Sequence, residues 1–398
     1  MKYLLDQKAD DLLSKLTFAQ QAINRIESPD EILSSYTMPL QNLIGSLRNR
    51  VEQAKAEFTQ FVQATHFNQL CPIQGNAQRK LLAAILRNYE DIENRIIIGI
   101  DTFLPLIPVW NNQKQNPETK LYHNLLKIFV SDILKLGQMD DYVMTIVGEN
   151  YACLPINWAE SKHVIFGTYS EMENLQKSVL LSHEIGHIFY NKNEQNIVPN
   201  VTSNVLNKLH QNKPPNVNQN DFEQAKFIWA SNWIPEFISD CFAVRLMGPA
   251  FLLQFMLIVL NGQPNRISVT HPPSNLRVKF MIDTLQSLNL PNCNISHYQA
   301  LWDSYSNTVS TPISIFLVDD EVIKVAFDSI NSMNILPTCI NEKWVDILEA
   351  KKAIKTNVVP VQDLVSIICA LGMEEVSRDL SLINQVLLER YVSNFNVF

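Results

Sequence analysis

The residues best suited to chemistry are two histidines and a glutamate in segment 182–187, which reads Ser-His-Glu-Ile-Gly-His. His183 and His187 are four residues apart, a spacing that puts both imidazoles on one face of a helix. Such a pair can bind a zinc ion, and Glu184 then lies beside any water at the open position of the metal. These residue types at this spacing predict metal-assisted hydrolysis of an amide bond.

Two carboxylates further along the chain offer the third protein ligand that a catalytic zinc needs. Glu236 and Asp240 are four residues apart in an otherwise apolar stretch. Because an unpaired carboxylate is costly to bury, we predict Glu236 as a metal ligand and Asp240 as the acceptor for a ligand histidine. The alternative is a solvated acid pair on a helix surface. His210 is a second candidate for the third ligand, although a single histidine in a polar loop is more often solvated.

The third feature is segment 270–277, in which two prolines follow His271 and stiffen the backbone. Pro273 or Ser274 can open the next helix, whose first turns carry Arg277. A fixed donor near zinc can stabilise an oxyanion. The alternative interpretation is a proline-marked helix start with an exposed histidine and arginine.

The three motifs, in this order, resemble the gluzincin metallopeptidases, which combine His-Glu-x-x-His with a downstream Glu-x-x-x-Asp. Segment 236–240 looks like the thermolysin-type second motif, and His-Pro-Pro at 271–273 followed by Arg277 is similar to the HtpX and CAAX prenyl protease group. The resemblance covers roughly residues 140 to 290 and implies these roles: zinc ligands His183, His187 and Glu236, general base Glu184, Asp240 orienting His183, and His271 and Arg277 near the transition state.

The sequence also departs from that group in two respects. Ser239 stands before the aspartate, where the HtpX-like group usually has alanine. Members of the group commonly carry transmembrane helices, whereas the most apolar stretch here, 251–260, is too short to cross a bilayer and predicts a buried helix.

Composition narrows the class of protein and its partners. The 398 residues are 46% hydrophobic and 18% charged with a net charge of −8, which is typical of a soluble globular protein. No cluster of lysine and arginine can neutralise phosphates, so we expect no nucleic-acid partner. Six scattered cysteines lack the spacing of a zinc ribbon and the density of a disulfide scaffold, and the N-terminus lacks a secretory apolar run. Together these features predict a cytoplasmic protein with reduced thiols.

We predict a mainly α fold with a small antiparallel β-sheet (α+β), in which helical regions flank a zincin-like core. The expected domains are an N-terminal helical bundle at 1–137, a metallopeptidase core at 138–290 and a C-terminal helical region at 291–398. The low glycine content favours helix. The expected segments of the bundle are a helical hairpin within 3–66, a helix near 77–100, an Asn-rich loop at 111–116 and a helix at 117–137.

Around the motifs, strands are predicted at 142–147 and 163–169, followed by a capping box at 170–173 that opens the site helix. An exposed strand at 163–169 would pair with an extended substrate backbone. Residues 191–220 are expected to form a mobile flap with a short helical patch near 201–210, and 313–318 a strand or buried turn.

The favoured function is a zinc metallopeptidase, of endopeptidase type, that hydrolyses peptide or protein substrates with Glu184 as general base. One alternative is a catalytically silent, zinc-containing helical protein that binds or regulates a partner. Another is a peptidase that serves as an effector or toxin against another cell's proteins. The sequence assigns no partner to the N-terminal helical region.

Overall fold

The computed structural model describes residues 2–26, 31–65, 76–139, 143–148, 152–156, 162–168, 175–260, 264–266, 268–306, 319–337, 339–356 and 358–374, with 383, 385–387 and 390. The chain divides into two compact units, Met1–Gln115 with Ile156–Lys162, and Asn116–Pro155 with His163–Phe398. The first unit thus ends near 115 apart from 156–162, and the C-terminal helices belong to the unit that holds all three motifs.

The described part of the first unit consists mainly of packed helices. In the described part of the chain its helices are α1 Lys2–Asn24, α2 Glu31–Thr65, α3 Asn76–Arg95 and α4 Leu106–Gln115, with a π-helical segment at Ile96–Asp101. The buried apolar residues of α1 recur every three or four positions: Leu5, Ala9, Leu12, Leu16, Ala19 and Ile23. This spacing favours coiled-coil-like packing, and α2 packs against both α1 and α3.

The prediction of an Asn-rich loop at 111–116 is wrong, because residues up to Gln115 belong to α4. Ile107 and Trp110 are buried on one face of this helix. Burial of an apolar face outweighs the modest helix propensity of the two asparagines that follow Trp110.

The second unit contains the remaining described helices, which surround one apolar core. They are α5 Pro117–Leu136, α6 Leu181–Ile197, α7 Ser203–Gln211, α8 Gln219–Ile228, α9 Ile234–Met247, α10 Pro249–Val259, α11 Ser274–Ser287, α12 Ile295–Ser306, α13 Asp320–Asn331, α14 Cys339–Lys355 and α15 Leu364–Gly372. Helix α9 is buried along its whole length and packs against α6, α10, α11, α13 and α14. The mainly α fold with a small β component is confirmed, and α10 is the buried helix expected near 251–260.

The sheet has three strands, β1 Met144–Gly148, β2 Ala152–Ile156 and β3 Lys162–Thr168, in the spatial order β1-β3-β2. β1 and β3 pair in parallel, from Met144 opposite Val164 to Gly148 opposite Thr168. The predicted antiparallel arrangement is therefore wrong for this pair. The sequence pattern missed β2, which lies between the two strands in the chain, so β1 and β3 are not joined as a hairpin.

The central position of β3 also overturns its predicted role as an exposed substrate platform. Its residues 163–165 are buried, and both of its edges pair with neighbouring strands. Only an edge strand presents unpaired backbone groups to an added strand, so β1 or β2 would have to fill that role.

The prediction of a mobile flap at 191–220 is also wrong for most of this range. Helix α6 continues to Ile197, a π-helical turn follows at Val198–Thr202, and α7 buries Val205 and Leu209. Helix α7 packs against α13, which buries the apolar face hidden among the polar residues of this segment.

Some expectations fall on residues outside the described part of the chain, namely the capping box at 170–173 and the element at 313–318. Among the described helices, none combines the length and the apolar character needed to cross a membrane. No disulfide joins the five described cysteines, of which Cys241 and Cys369 are buried, while Cys71 lies outside the described residues.

Candidate metal centre

Helix α6 carries the first motif, and its helical geometry places His183 and His187 side by side. Their ring centroids are 4.8 Å apart in an edge-to-face arrangement. The helix follows a 3-10 segment at Leu175–Leu180, and the apolar residues on either side of the motif, including Ile185 and Ile188, are buried. The pair is therefore fixed on the core-facing side of α6.

The second motif reaches the first because α6 and α9 approach each other very closely at Gly186. A Cβ atom at this position would lie 2.7 Å from the Cα and 2.9 Å from the carbonyl oxygen of Ser239 on α9. Real Cβ atoms do not approach backbone this closely, so only glycine fits without a shift of one helix. Sequence reasoning did not assign Gly186 a role, although a lone glycine inside a helical pattern is a signal of close packing.

Across this contact, Glu236 lies between the two histidines. Its Oε2 atom is 3.4 Å from Nε2 of His183, and its Oε1 atom is 3.3 Å from Nε2 of His187. The candidate ligand atoms of these three residues all lie within 4.8 Å of one another. Zinc bonds of about 2.0–2.2 Å in tetrahedral geometry separate neighbouring ligand atoms by about 3.3 Å, so the spacing fits a metal ion.

The hydrogen bonding of Glu236 gives a second test of the fit. Its Oε2 atom is buried and accepts no hydrogen bond of acceptable geometry from the described residues, although Nη1 of Arg277 lies 3.0 Å away. A buried carboxylate oxygen normally has a donor. An oxygen with a free lone pair beside the Nε2 atom of His183 is suited to bind a cation.

Asp240 occupies the position behind His183 that the second motif predicts. Its Oδ1 atom lies 2.9 Å from Nδ1 of His183, and the carboxylate is fully buried. The guanidinium of Arg277 donates to both oxygens, from Nε to Oδ2 and from Nη2 to Oδ1, each at 2.7 Å. This two-point contact fixes the carboxylate, and through it the plane of the His183 ring.

Arg277 is brought to the centre of the cluster by α11, which begins at Ser274 as expected. It is 7% exposed and lies over the ring of Phe255, 4.6 Å from its centroid. Its donors face Asp240 and Glu236. Arg277 thus holds two ionised carboxylates of α9 next to each other, where their mutual repulsion would otherwise oppose burial.

The charges of the cluster explain its proton affinities. Burial favours the neutral form of Glu236, but Arg277 and His183 outweigh it and hold the pKa of Glu236 well below its usual range. Arg277 likewise overcomes burial and lowers the pKa of Asp240. Burial lowers the pKa of His183, yet Glu236 and Asp240 together raise it to about 10. Two carboxylates beside one guanidinium leave one negative charge, which a proton on His183 balances and which a bound cation can balance in its place.

Glu184 is half-buried on α6, directly after His183 in the sequence. Burial lowers the pKa of Arg277, while Asp240, Glu236 and, more weakly, Glu184 raise it above its usual range. Burial raises the pKa of the Cys153 thiol on β2, and the charge of Glu184 adds to that rise. The carboxylate of Glu184 therefore lies within electrostatic reach of both the metal group and β2.

His271 lies at the opening of the cluster. Its Nε2 atom is 3.8 Å from Oε1 of Glu236, its Nδ1 atom is 2.9 Å from Oγ1 of Thr270, and its side chain is 57% exposed. The segment before it is tied to the π-helical segment Trp229–Trp233, between α8 and α9, by Asn232 donating to the carbonyl of Val269 and Trp233 donating to that of Ser268. The stiff loop predicted from the prolines thus brings an accessible imidazole to the site.

His210 and Ser239 remain to be compared with what the sequence predicts. His210 is exposed on α7, with its ring beside Phe222, and is not a member of the metal group. Ser239, noted from sequence only as a departure from alanine, places its Oγ atom 3.2 Å from Nδ1 of His187. Its contact depends on the register of two helices, which the sequence pattern alone does not give.

Comparisons of the chain with protein-family models, with curated proteins and with solved structures return no match. Function is therefore inferred from the residues of this chain and from the geometry described above. That geometry defines a buried group of two imidazoles and one carboxylate that can bind a metal ion.

Proposed function

We propose that this chain is a zinc-dependent metallopeptidase of the gluzincin type, in which His183, His187 and Glu236 bind the metal. The observation that carries the proposal is the convergence of these three residues, with ligand atoms within 4.8 Å of one another, from two helices. When bound, zinc would activate a water molecule and polarise the scissile carbonyl of a peptide substrate. Two nitrogens and one carboxylate oxygen are typical of catalytic zinc sites that leave one position open.

In this proposal the side chains around the metal group transfer protons, position the ligands and stabilise the oxyanion. Glu184 takes a proton from the attacking water and passes it to the leaving amine. Asp240 accepts the hydrogen bond from Nδ1 of His183 and so keeps Nε2 directed at the metal. His271, accessible and held by Thr270, donates to the oxyanion of the tetrahedral intermediate.

Arg277 is expected near the transition state, and the geometry supports an indirect contribution. Its donors are directed at Asp240 and Glu236, so in this proposal it positions the two carboxylates rather than contacting the substrate. The same contact bears on metal binding both in a peptidase and in the alternative, a catalytically silent zinc protein. A guanidinium 3.0 Å from Oε2 of Glu236 competes with the metal for that oxygen.

The test combines zinc analysis with cleavage of an unfolded protein mixture, with and without a chelator. We expect Glu184→Gln to keep its zinc, because Glu184 is not a ligand, and to lose cleavage by at least about a hundredfold, in line with removal of a general base. Glu194→Gln is the matched control, since Glu194 is an exposed glutamate at the far end of the same helix. Cleavage that survives in the Glu184 variant would contradict the proposed peptidase mechanism. Zinc binding without any cleavage in the wild type would also contradict it, and would favour the catalytically silent zinc protein.

A further inference from the structure

The two candidate imidazole ligands differ in what supports them from behind. Nδ1 of His183 faces the carboxylate of Asp240 at 2.9 Å. Nδ1 of His187 faces the hydroxyl of Ser239 at 3.2 Å. One ring is therefore held by a charged acceptor and the other by a neutral one, and both acceptors come from α9.

The position of Ser239 is fixed by packing and does not depend on the hydrogen bond. The side chain is fully buried, and its Cα, Cβ and carbonyl oxygen lie against Gly186, where a Cβ would meet them at 2.7 to 2.9 Å. The hydroxyl thus has a set place one helical turn after Glu236 and one residue before Asp240. Removing only the hydroxyl leaves the Cβ that fills this contact.

The chemistry of metal binding sets the direction of this hydrogen bond. A neutral imidazole that binds a cation through Nε2 must carry its proton on Nδ1. That proton needs an acceptor, and the oxygen of Ser239 is at the right distance. The opposite arrangement, in which the hydroxyl donates to Nδ1, would place the ring proton on Nε2 and block the ligand atom.

We infer that Ser239 is the positioning residue for His187, which fixes its tautomer and ring plane so that Nε2 is presented to the metal. This inference rests on the proposed function and extends it to a residue that the gluzincin resemblance leaves unassigned. Loss of a hydrogen-bonding partner behind a ligand histidine typically lowers metal affinity by about 10- to 100-fold. A neutral acceptor belongs near the lower end of that range.

The first measurement is the affinity for zinc, by competition with a chelating dye, of the full chain and its variants. We expect Ser239→Ala to bind zinc about tenfold more weakly than the wild type. Ser366→Ala is the matched control, because Ser366 is also fully buried but donates to Asp363 on α15, outside the metal group. It should bind zinc as the wild type does.

A second measurement separates support of one ring from a general structural role. In a His187→Ala background, Ser239→Ala should cause no further loss of affinity, whereas in a His183→Ala background it should still cause its full loss. In the zinc-loaded wild type, ¹⁵N NMR should show a proton on Nδ1 of His187. In zinc-loaded Ser239→Ala this proton should exchange faster with water.

The outcomes distinguish this inference from the proposed function. A wild type that binds zinc while Ser239→Ala binds it equally well, or a loss that persists undiminished without His187, overturns the inference alone. A proton found on Nε2 of His187 does the same. A wild type that binds no metal overturns the proposed function, and the role of Ser239 with it.

Discussion

At the scale of single residues, the centre is a set of charges that are stable only together. Arg277 lies between Glu236 and Asp240, and each of these three residues is at most 7% exposed. Breaking a buried ion pair by removing one partner leaves an uncompensated charge and is strongly destabilising. The residues that hold the proposed ligands in place therefore also contribute to the stability of the second unit.

Asp240→Asn tests this coupling. We expect it to lower the free energy of unfolding in urea by about 3–5 kcal/mol, because it removes the charge that pairs with Arg277. The pKa of Asp240 is lower in the folded protein, so this stabilisation is present at neutral pH and is lost as acid protonates the folded carboxylate.

Asp283→Asn on α11 is the control for that substitution. Burial raises the pKa of Asp283, which means that folding disfavours its charged form. A neutral amide there should leave the free energy of unfolding nearly unchanged. Equal losses in the two variants would show that Asp240 has no special role.

At the scale of elements, the close contact of α6 and α9 decides whether a metal site exists. Glycine in a helix interior is disfavoured by about 1 kcal/mol relative to alanine, yet Gly186 lies between the two histidines of the motif. Because Gly186 has no Cβ, α6 and α9 can lie close together, and this brings Glu236 to 3.3–3.4 Å from the Nε2 atoms of both imidazoles. A wider separation would leave the ligands of α9 out of reach.

We therefore expect Gly186→Ala to destabilise the protein, although helix propensity alone would predict that it stabilises it. Overpacking costs about 1–3 kcal/mol, which exceeds the gain of about 1 kcal/mol in helix propensity, so we expect a lower melting temperature and weaker zinc binding. Gly45→Ala on α2, where an added Cβ would meet nothing within 4 Å, should instead raise stability slightly. If alanine at 186 is stabilising and leaves zinc affinity unchanged, the helices do not meet as described.

At the scale of the whole molecule, every residue of the candidate centre belongs to the second compact unit, although the motifs span His183 to Arg277. Three elements converge on it: α6 with the histidine pair, α9 with the carboxylates, and the loop and first turn of α11 with His271 and Arg277. Helix α9 is the common element because it is buried on all sides and contacts both of the others.

Local spacing predicted the parts of this arrangement that depend on helical periodicity. The pairs at 183 and 187 and at 236 and 240, and the start of α11, follow directly from the period of a helix and from proline stereochemistry. The roles of Gly186 and Ser239 could not be predicted in this way, because they depend on which faces of two helices meet. The parallel pairing of β1 and β3 was missed for a related reason, since strand partners are chosen by long-range packing.

The central claim is that one metal ion is bound by His183, His187 and Glu236. Its most direct test is crystallography of the zinc-loaded protein with anomalous data collected on both sides of the zinc absorption edge. The account predicts one anomalous peak at about 2.0–2.2 Å from Nε2 of each histidine and from a carboxylate oxygen of Glu236, and no such peak in Glu236→Ala. A peak at another place in the chain, or none between α6 and α9 at saturating zinc, would contradict it.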